Sequence, residues 1–170
     1  VTRAMKEMML ARVGVDTENF AGGPAEARRA YAEAIRAIAP TLGGDVSRLN
    51  EAQLCDDFHY TIFPNVTFNT HSLFVWVFLH RPHPTDPNRM YFDFWNLMNA
   101  PGQELPRPEK RFYRATDHDT LKGECEGGDL LDEDLRNLPQ IQAGMRSSGF
   151  DALHLGDQEI RIRHHHATLM

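Results

Sequence analysis

SLFVWVFL, Ser72 to Leu79, is an almost unbroken apolar run of strand length. Its β-branched and aromatic content reads as a strand, and apolar residues on both faces imply burial on both sides, or one side on a helix and one on another chain. Working outward, residues 81–87 hold Pro82, Pro84 and Pro87 and read as a stiff turn. MYFDFWNLM, Met90 to Met98, then returns as a second aromatic strand, so the two runs predict an antiparallel hairpin. On the other side lies FHYTIFPNVTF, Phe58 to Phe68, aromatic and β-branched but broken by Pro64-Asn65. Proline cannot donate to a strand ladder, so the dipeptide predicts a bulge or bend.

The flanks change period. Residues 2–10 carry Met5, Met8 and Met9 among charges, which suits a short helix or an end packed on a further segment. Residues 14–23 are polar and glycine-rich, a loop. Pro24 stands at a natural first-turn position, and Tyr31, Ala34, Ile35 and Ile38 form one apolar stripe until Pro40 and Gly43-Gly44 end the helix. Arg28, Arg29, Glu33 and Arg36 fall on its wet side, and a polar connector leads to the strands. Residues 100–108 form another Pro-rich loop, and residues 110–126 carry no clear pattern. A helical period returns over residues 130–145, and residues 155–169 suit a strand leading into a helix. The order is a helical and loop lead-in (1–50), antiparallel strands (54–98) and a C-terminal helical region (129–170). This is an α+β plan, a sheet packed on a long C-terminal helix.

A chain of 170 residues fits one domain or a large part of one, and the ends, Val1 and Met170, read as cut. The net charge of -6 argues against a nucleic-acid partner, which needs a basic face. No apolar run is long enough to span a bilayer, so no membrane partner is expected, and with both ends reading as cut the lack of a visible signal peptide implies little about export. Cys55 and Cys125 lie far apart without C-x-x-C spacing and read as free thiols in a reducing, cytoplasmic setting.

At 100° per residue, Leu130, Leu131, Leu135, Leu138, Ile141, Gln142 and Met145 share one helix face. Asp134 falls inside that stripe, while Asp132 and Glu133 fall outside it. A carboxylate on a buried face costs several kcal/mol unless it is paired, hydrogen-bonded or bound to a metal. Asp134 is either a ligand or a first-turn acid compensated by backbone N–H groups and the helix dipole. Pro139 would kink the helix if Asp132 caps it.

Nine histidines invite a metal, but no H-x-x-x-H or H-E-x-x-H pair exists. His164, His165 and His166 point in different directions on a helix, and His59, His71, His80, His83 and His118 read as structural or exposed. A zinc hydrolase therefore lacks ligand spacing.

Three segments, in order, resemble the aromatic-ring-hydroxylating (Rieske-type non-haem iron) oxygenase α subunit, in the C-terminal part of its catalytic domain. DFHYTIFPN (Asp57–Asn65) is similar to the family's F-H-Y-x-x-F-P-N strand. DEDLRNLP through QAGM (Asp132–Met145) resembles its E-D-x-x-N-L-P-x-x-Q-x-G-M helix. LGDQEIRIRH (Leu155–His164) resembles its E-x-x-I-x-x-F-H end. The resemblance implies a helix-grip (SRPBCC-like) domain, here incomplete, with a mononuclear Fe(II) held by two histidines and one carboxylate.

By the same resemblance, Asp134 closes the E-D pair and is the carboxylate ligand, while Glu133 is not. Leu130, one turn earlier, matches a position that lines the substrate pocket. The two histidine ligands belong to a D-x-x-H-x-x-x-x-H motif that does not occur between Val1 and Leu54, so they are expected upstream of residue 1. The Rieske domain, with its C-x-H and C-x-x-H pairs, is likewise absent from this sequence. The implied activity is mono- or dihydroxylation of an aromatic or other apolar substrate with O₂. Electrons would come from NAD(P)H through a reductase or ferredoxin and a Rieske [2Fe-2S] cluster, in a homotrimer or heterohexamer. The chain alone is expected to be inactive. The competing class is a non-enzymatic helix-grip module that binds an apolar ligand, with Asp134 hydrogen-bonded and metal-free.

Overall fold

A computed structural model describes residues 3–101, 104, 108–114, 121–124 and 128–170, with side chains from Glu7 onward, Met8 excepted. The expectations for Met5, Met8, His118, Cys125 and parts of the 100–108 and 110–126 segments lie outside the described residues. The chain forms two units, Val1–Leu105 and Pro106–Met170.

The first unit opens with α1 (Arg3–Arg12) and α2 (Pro24–Ile38). Pro24 occupies the first turn of α2, where its missing N–H costs nothing. A 3-10 turn over Ala39–Leu42 carries Pro40 and ends at Gly43, whose φ of 74° is a left-handed cap. The α2 stripe packs as expected: Ala32, Ile35 and Ala39 are buried with Val13, Val46, Leu54 and Leu73, and Tyr31, Ala34 and Ile38 lean on that core.

The polar connector contains a helix that sequence reading did not resolve, α3 (Glu51–Cys55). Asn50 and Gln53 form a reciprocal capping box that satisfies two otherwise free N–H groups. Arg28 is half-buried rather than on the wet side, because its guanidinium ties α2 to Glu51 and Asp56. Cys55 is a free thiol that donates to the Arg28 carbonyl at 3.4 Å.

Four strands follow: β1 (Phe58–Ile62), β2 (Val66–Thr70), β3 (Phe74–Pro82) and β4 (Met90–Met98). They pair antiparallel in the order β1-β2-β3-β4. The β3–β4 hairpin matches the expectation, although β3 runs on through Pro82, opposite Met90. The Pro64-Asn65 break is a full reversal rather than a bulge, and Ile62 pairs with Val66 across it. Pro64, with a cis peptide before it, needs no partner in the turn. Asn65 ties the turn to β3, since its Nδ2 donates to the His80 carbonyl and its own carbonyl accepts from the His80 N–H.

Burial in β3 is lighter than its apolar sequence implied. Trp76 is buried at 7 % exposure, packed against His71, Phe74, Phe78 and Phe94, while its strand neighbours are half-buried. Tyr60, stacked on Phe68, and Trp95 are exposed.

The second unit is built on α4 (Gly128–Met145), with a 3-10 turn over Asp157–Glu159 leading into α5 (Ile160–Leu169). Helix α4 starts four residues ahead of Asp132, so Asp132 is not its cap, and Pro139 lies inside it. Residues 151–156 are irregular, so the expected strand before the last helix is not formed. The α+β class stands: a four-stranded antiparallel sheet with helices before and after it. Among the described residues, no helix is long and apolar enough to cross a membrane.

Candidate functional site on helix α4

Three consecutive acids occupy the first half of α4, and their surroundings differ sharply. Asp132 is the buried one, at 6 % exposure. Its Oδ2 accepts the backbone N–H of Leu121 at 3.1 Å and of Lys122 at 2.9 Å, and its Oδ1 lies 3.3 Å from the Leu121 nitrogen. Those donors compensate the charge, so a buried carboxylate is tolerated. Gly128 makes the approach possible, since a Cβ there would collide with the Leu121 carbonyl.

Asp134 and Glu133 are exposed. This corrects the sequence expectation, which buried Asp134 and left Asp132 in solvent. The covered side of α4 in this unit is set by contact with residues 121–122, and it carries Gly128, Leu131 and Asp132. The apolar stripe meets that side only at Leu131, and most of it is open: Leu130 (52 % exposed), Leu138, Ile141 and Met145 are all exposed.

Asp134 still stands in that stripe, one turn after Leu130 and one before Leu138. It is the seventh residue of α4, beyond the free N–H groups of the first turn, so the helix-dipole alternative is removed. Among the described residues, no hydrogen bond or ion pair engages its carboxylate.

Several of the described histidines engage neighbours of their own. His59 bonds Asn69 through Nδ1 at 2.6 Å, and His71 Nε2 lies 3.8 Å from Asp57. His80 packs on Phe92, and burial pushes its imidazole pKa down. His83 Nδ1 accepts the N–H groups of Thr85 and Asp86, holding the 83–89 turn. His154 lies 3.6 Å from Asp151. His164 and His166 are exposed on α5, with His165 half-buried between them.

Among the described residues, no group of three or more His, Cys, Asp or Glu side chains is placed to hold a metal. An unengaged carboxylate fits one corner of a two-histidine, one-carboxylate site. The described residues supply that corner and no histidine pair beside it.

A family model described as ring hydroxylating alpha subunit (catalytic domain) matches residues 13–170. The chain belongs to this family. The match spans all four strands and both helices of the second unit, so the ring-hydroxylating α-subunit assignment covers the sheet and Asp134 together. No individual curated protein and no solved structure matches the chain. The parent of this catalytic-domain chain is thus an oxygenase, an oxidoreductase by class.

The burial of Asp132 is the feature that sequence reading of this α-subunit chain missed. Its signal is Gly128 ahead of the acids, which allows a neighbouring backbone to approach the first turn.

Proposed function

We propose that this chain supplies the carboxylate ligand of a mononuclear non-haem Fe(II) site in an oxygenase that hydroxylates an aromatic or other apolar substrate with O₂. The observation that carries the reading is Asp134: an unengaged carboxylate set among exposed leucine, isoleucine and methionine side chains. Water solvates this acid while the face is open; once the face is covered, a cation would satisfy the carboxylate there. Two histidines from sequence upstream of Val1 complete the ligand set. Leu130, on the same stripe, lines the substrate pocket, and its bare side chain suits an apolar ring.

When bound, the iron supplies the redox chemistry that activates O₂. Asp134 contributes fixed negative charge, and the exposed stripe around it would exclude water once a further surface covers it. Electrons would come from NAD(P)H through a reductase or ferredoxin and a Rieske [2Fe-2S] cluster in another domain. The intact protein is a homotrimer or heterohexamer in the cytoplasm, and the present chain alone is inactive.

The test is iron content in the parent α subunit with its upstream sequence restored. Asp134→Ala is expected to abolish iron retention while the helical circular dichroism is kept. An Asp134→Ala protein that retains the wild-type complement of iron would remove Asp134 from the site.

A further inference from the structure

We infer that Asp132 is a positioning residue for Asp134: its carboxylate clamp on the Leu121 and Lys122 N–H groups sets the rotation at which α4 presents the ligand acid. This rests on the reading of Asp134 as an iron ligand. At 100° and 1.5 Å per residue, two residues along a helix point to nearly opposite sides and lie about 3 Å apart on its axis. Asp132 grips the neighbouring backbone from one side, and Asp134 stands on the other.

The grip is specific in direction. Two successive backbone N–H groups converge on one carboxylate, and contact between Gly128 and the Leu121 carbonyl stops the helix from sliding closer. Leu131 is buried alongside, so the anchored side of the first two turns is continuous. A side chain reaches roughly 5–6 Å from the helix axis, so a rotation of about 20° swings its tip by about 2 Å. Metal–ligand distances tolerate about 0.2 Å. A clamp on the far side of the helix therefore decides whether the near-side acid meets a metal. Asp132 touches neither iron nor substrate, and it acts only through the backbone it fixes.

The experiment uses the intact α subunit, titrated with Fe(II) at equilibrium, and the electron paramagnetic resonance spectrum of its Fe(II)–nitric oxide adduct. Asp132→Ala should weaken Fe(II) binding about 10–100-fold and broaden the spectrum, as loss of an outer supporting contact does. Asp132→Asn, which keeps one carbonyl oxygen for the same N–H groups, should fall between Asp132→Ala and wild type. A purely structural role would lower the melting temperature but leave the affinity and spectrum of the folded protein at wild-type values. That result, obtained while Asp134→Ala still loses iron, overturns the inference and leaves the proposed function standing. Wild-type iron binding in Asp134→Ala defeats the ligand reading and this inference with it. Should Asp132→Ala fail to fold by circular dichroism, Asp132→Asn decides by the same two measurements.

Discussion

The guanidinium of Arg28 holds both oxygens of Asp56, with Nη1–Oδ1 at 2.5 Å and Nη2–Oδ2 at 2.7 Å. This bidentate pair joins α2 to Asp56, two residues before β1, and Arg28 Nε reaches Glu51 at 3.0 Å as well. The hydrogen bond from Arg28 holds the Asp56 carboxyl below its usual range. A carboxyl depressed in the folded state adds stability above its unfolded pKa of about 3.9, and that stability is lost as pH falls through the folded value. Both side chains are partly open to solvent, so the pair is worth about 1 kcal/mol. Asp56→Asn should therefore lower urea stability by about 1 kcal/mol at pH 7, and the gap to wild type should close near pH 3. An equal gap at both pH values would show that Arg28 is not the cause.

His80 titrates with the opposite chemistry and the same sign. Burial against Phe92 depresses its imidazole pKa, so the folded state favours the neutral ring. Its contribution is complete above the unfolded pKa of about 6.5 and is lost as pH falls below it. Replacing His80 with Phe should remove roughly 1–3 °C of the drop in melting temperature between pH 7.5 and pH 5.5. Identical pH dependence in wild type and variant would exclude His80 as a contributor.

Trp76 separates packing from hydrogen bonding. Its ring is buried among four aromatic or imidazole neighbours, yet its Nε1–H is buried without a partner among the described residues. Trp76→Ala should cost about 3–5 kcal/mol through the cavity it opens. Trp76→Phe discards the unsatisfied donor and should cost under about 1.5 kcal/mol. Denaturant titration of both variants checks the ratio, and equal losses would mean that the indole nitrogen is bonded in solution.

Gly128 admits no side chain, because a Cβ there would meet the Leu121 carbonyl and backbone cannot yield cheaply. Gly128→Ala should destabilise the second unit by about 2 kcal/mol or more. The sensitive readout is hydrogen exchange at the Leu121 and Lys122 amides, which Asp132 accepts in the native chain. Both amides should exchange at least about tenfold faster in the variant. Unchanged protection would show that the contact is dispensable.

Much of the sheet was legible in the sequence. The β4 limits, Met90 to Met98, coincide with the aromatic run because turn residues bound it on both sides. Residues 58–68 misled because two five-residue strands joined by a three-residue reversal look, in one dimension, like one interrupted strand. Helix α3 escaped notice because five residues are too few to show a period, and only the Asn50/Gln53 cap marks it. For the site, helical period placed Asp134 correctly within the apolar stripe, since angular position is a local property. Burial is not local: Asp132 is covered by residues ten and eleven positions earlier, and no pattern within α4 announces them.

The exposed stripe on α4 also constrains the order of assembly. Any surface that covers Leu130, Leu138, Ile141 and Met145 moves Asp134 from water into a medium of low dielectric. An uncompensated carboxylate would oppose that step by several kcal/mol, whereas a carboxylate already sharing a cation would not. With Asp134 as the proposed ion ligand, closure over this helix and capture of the ion would be thermodynamically linked, each raising the affinity of the other.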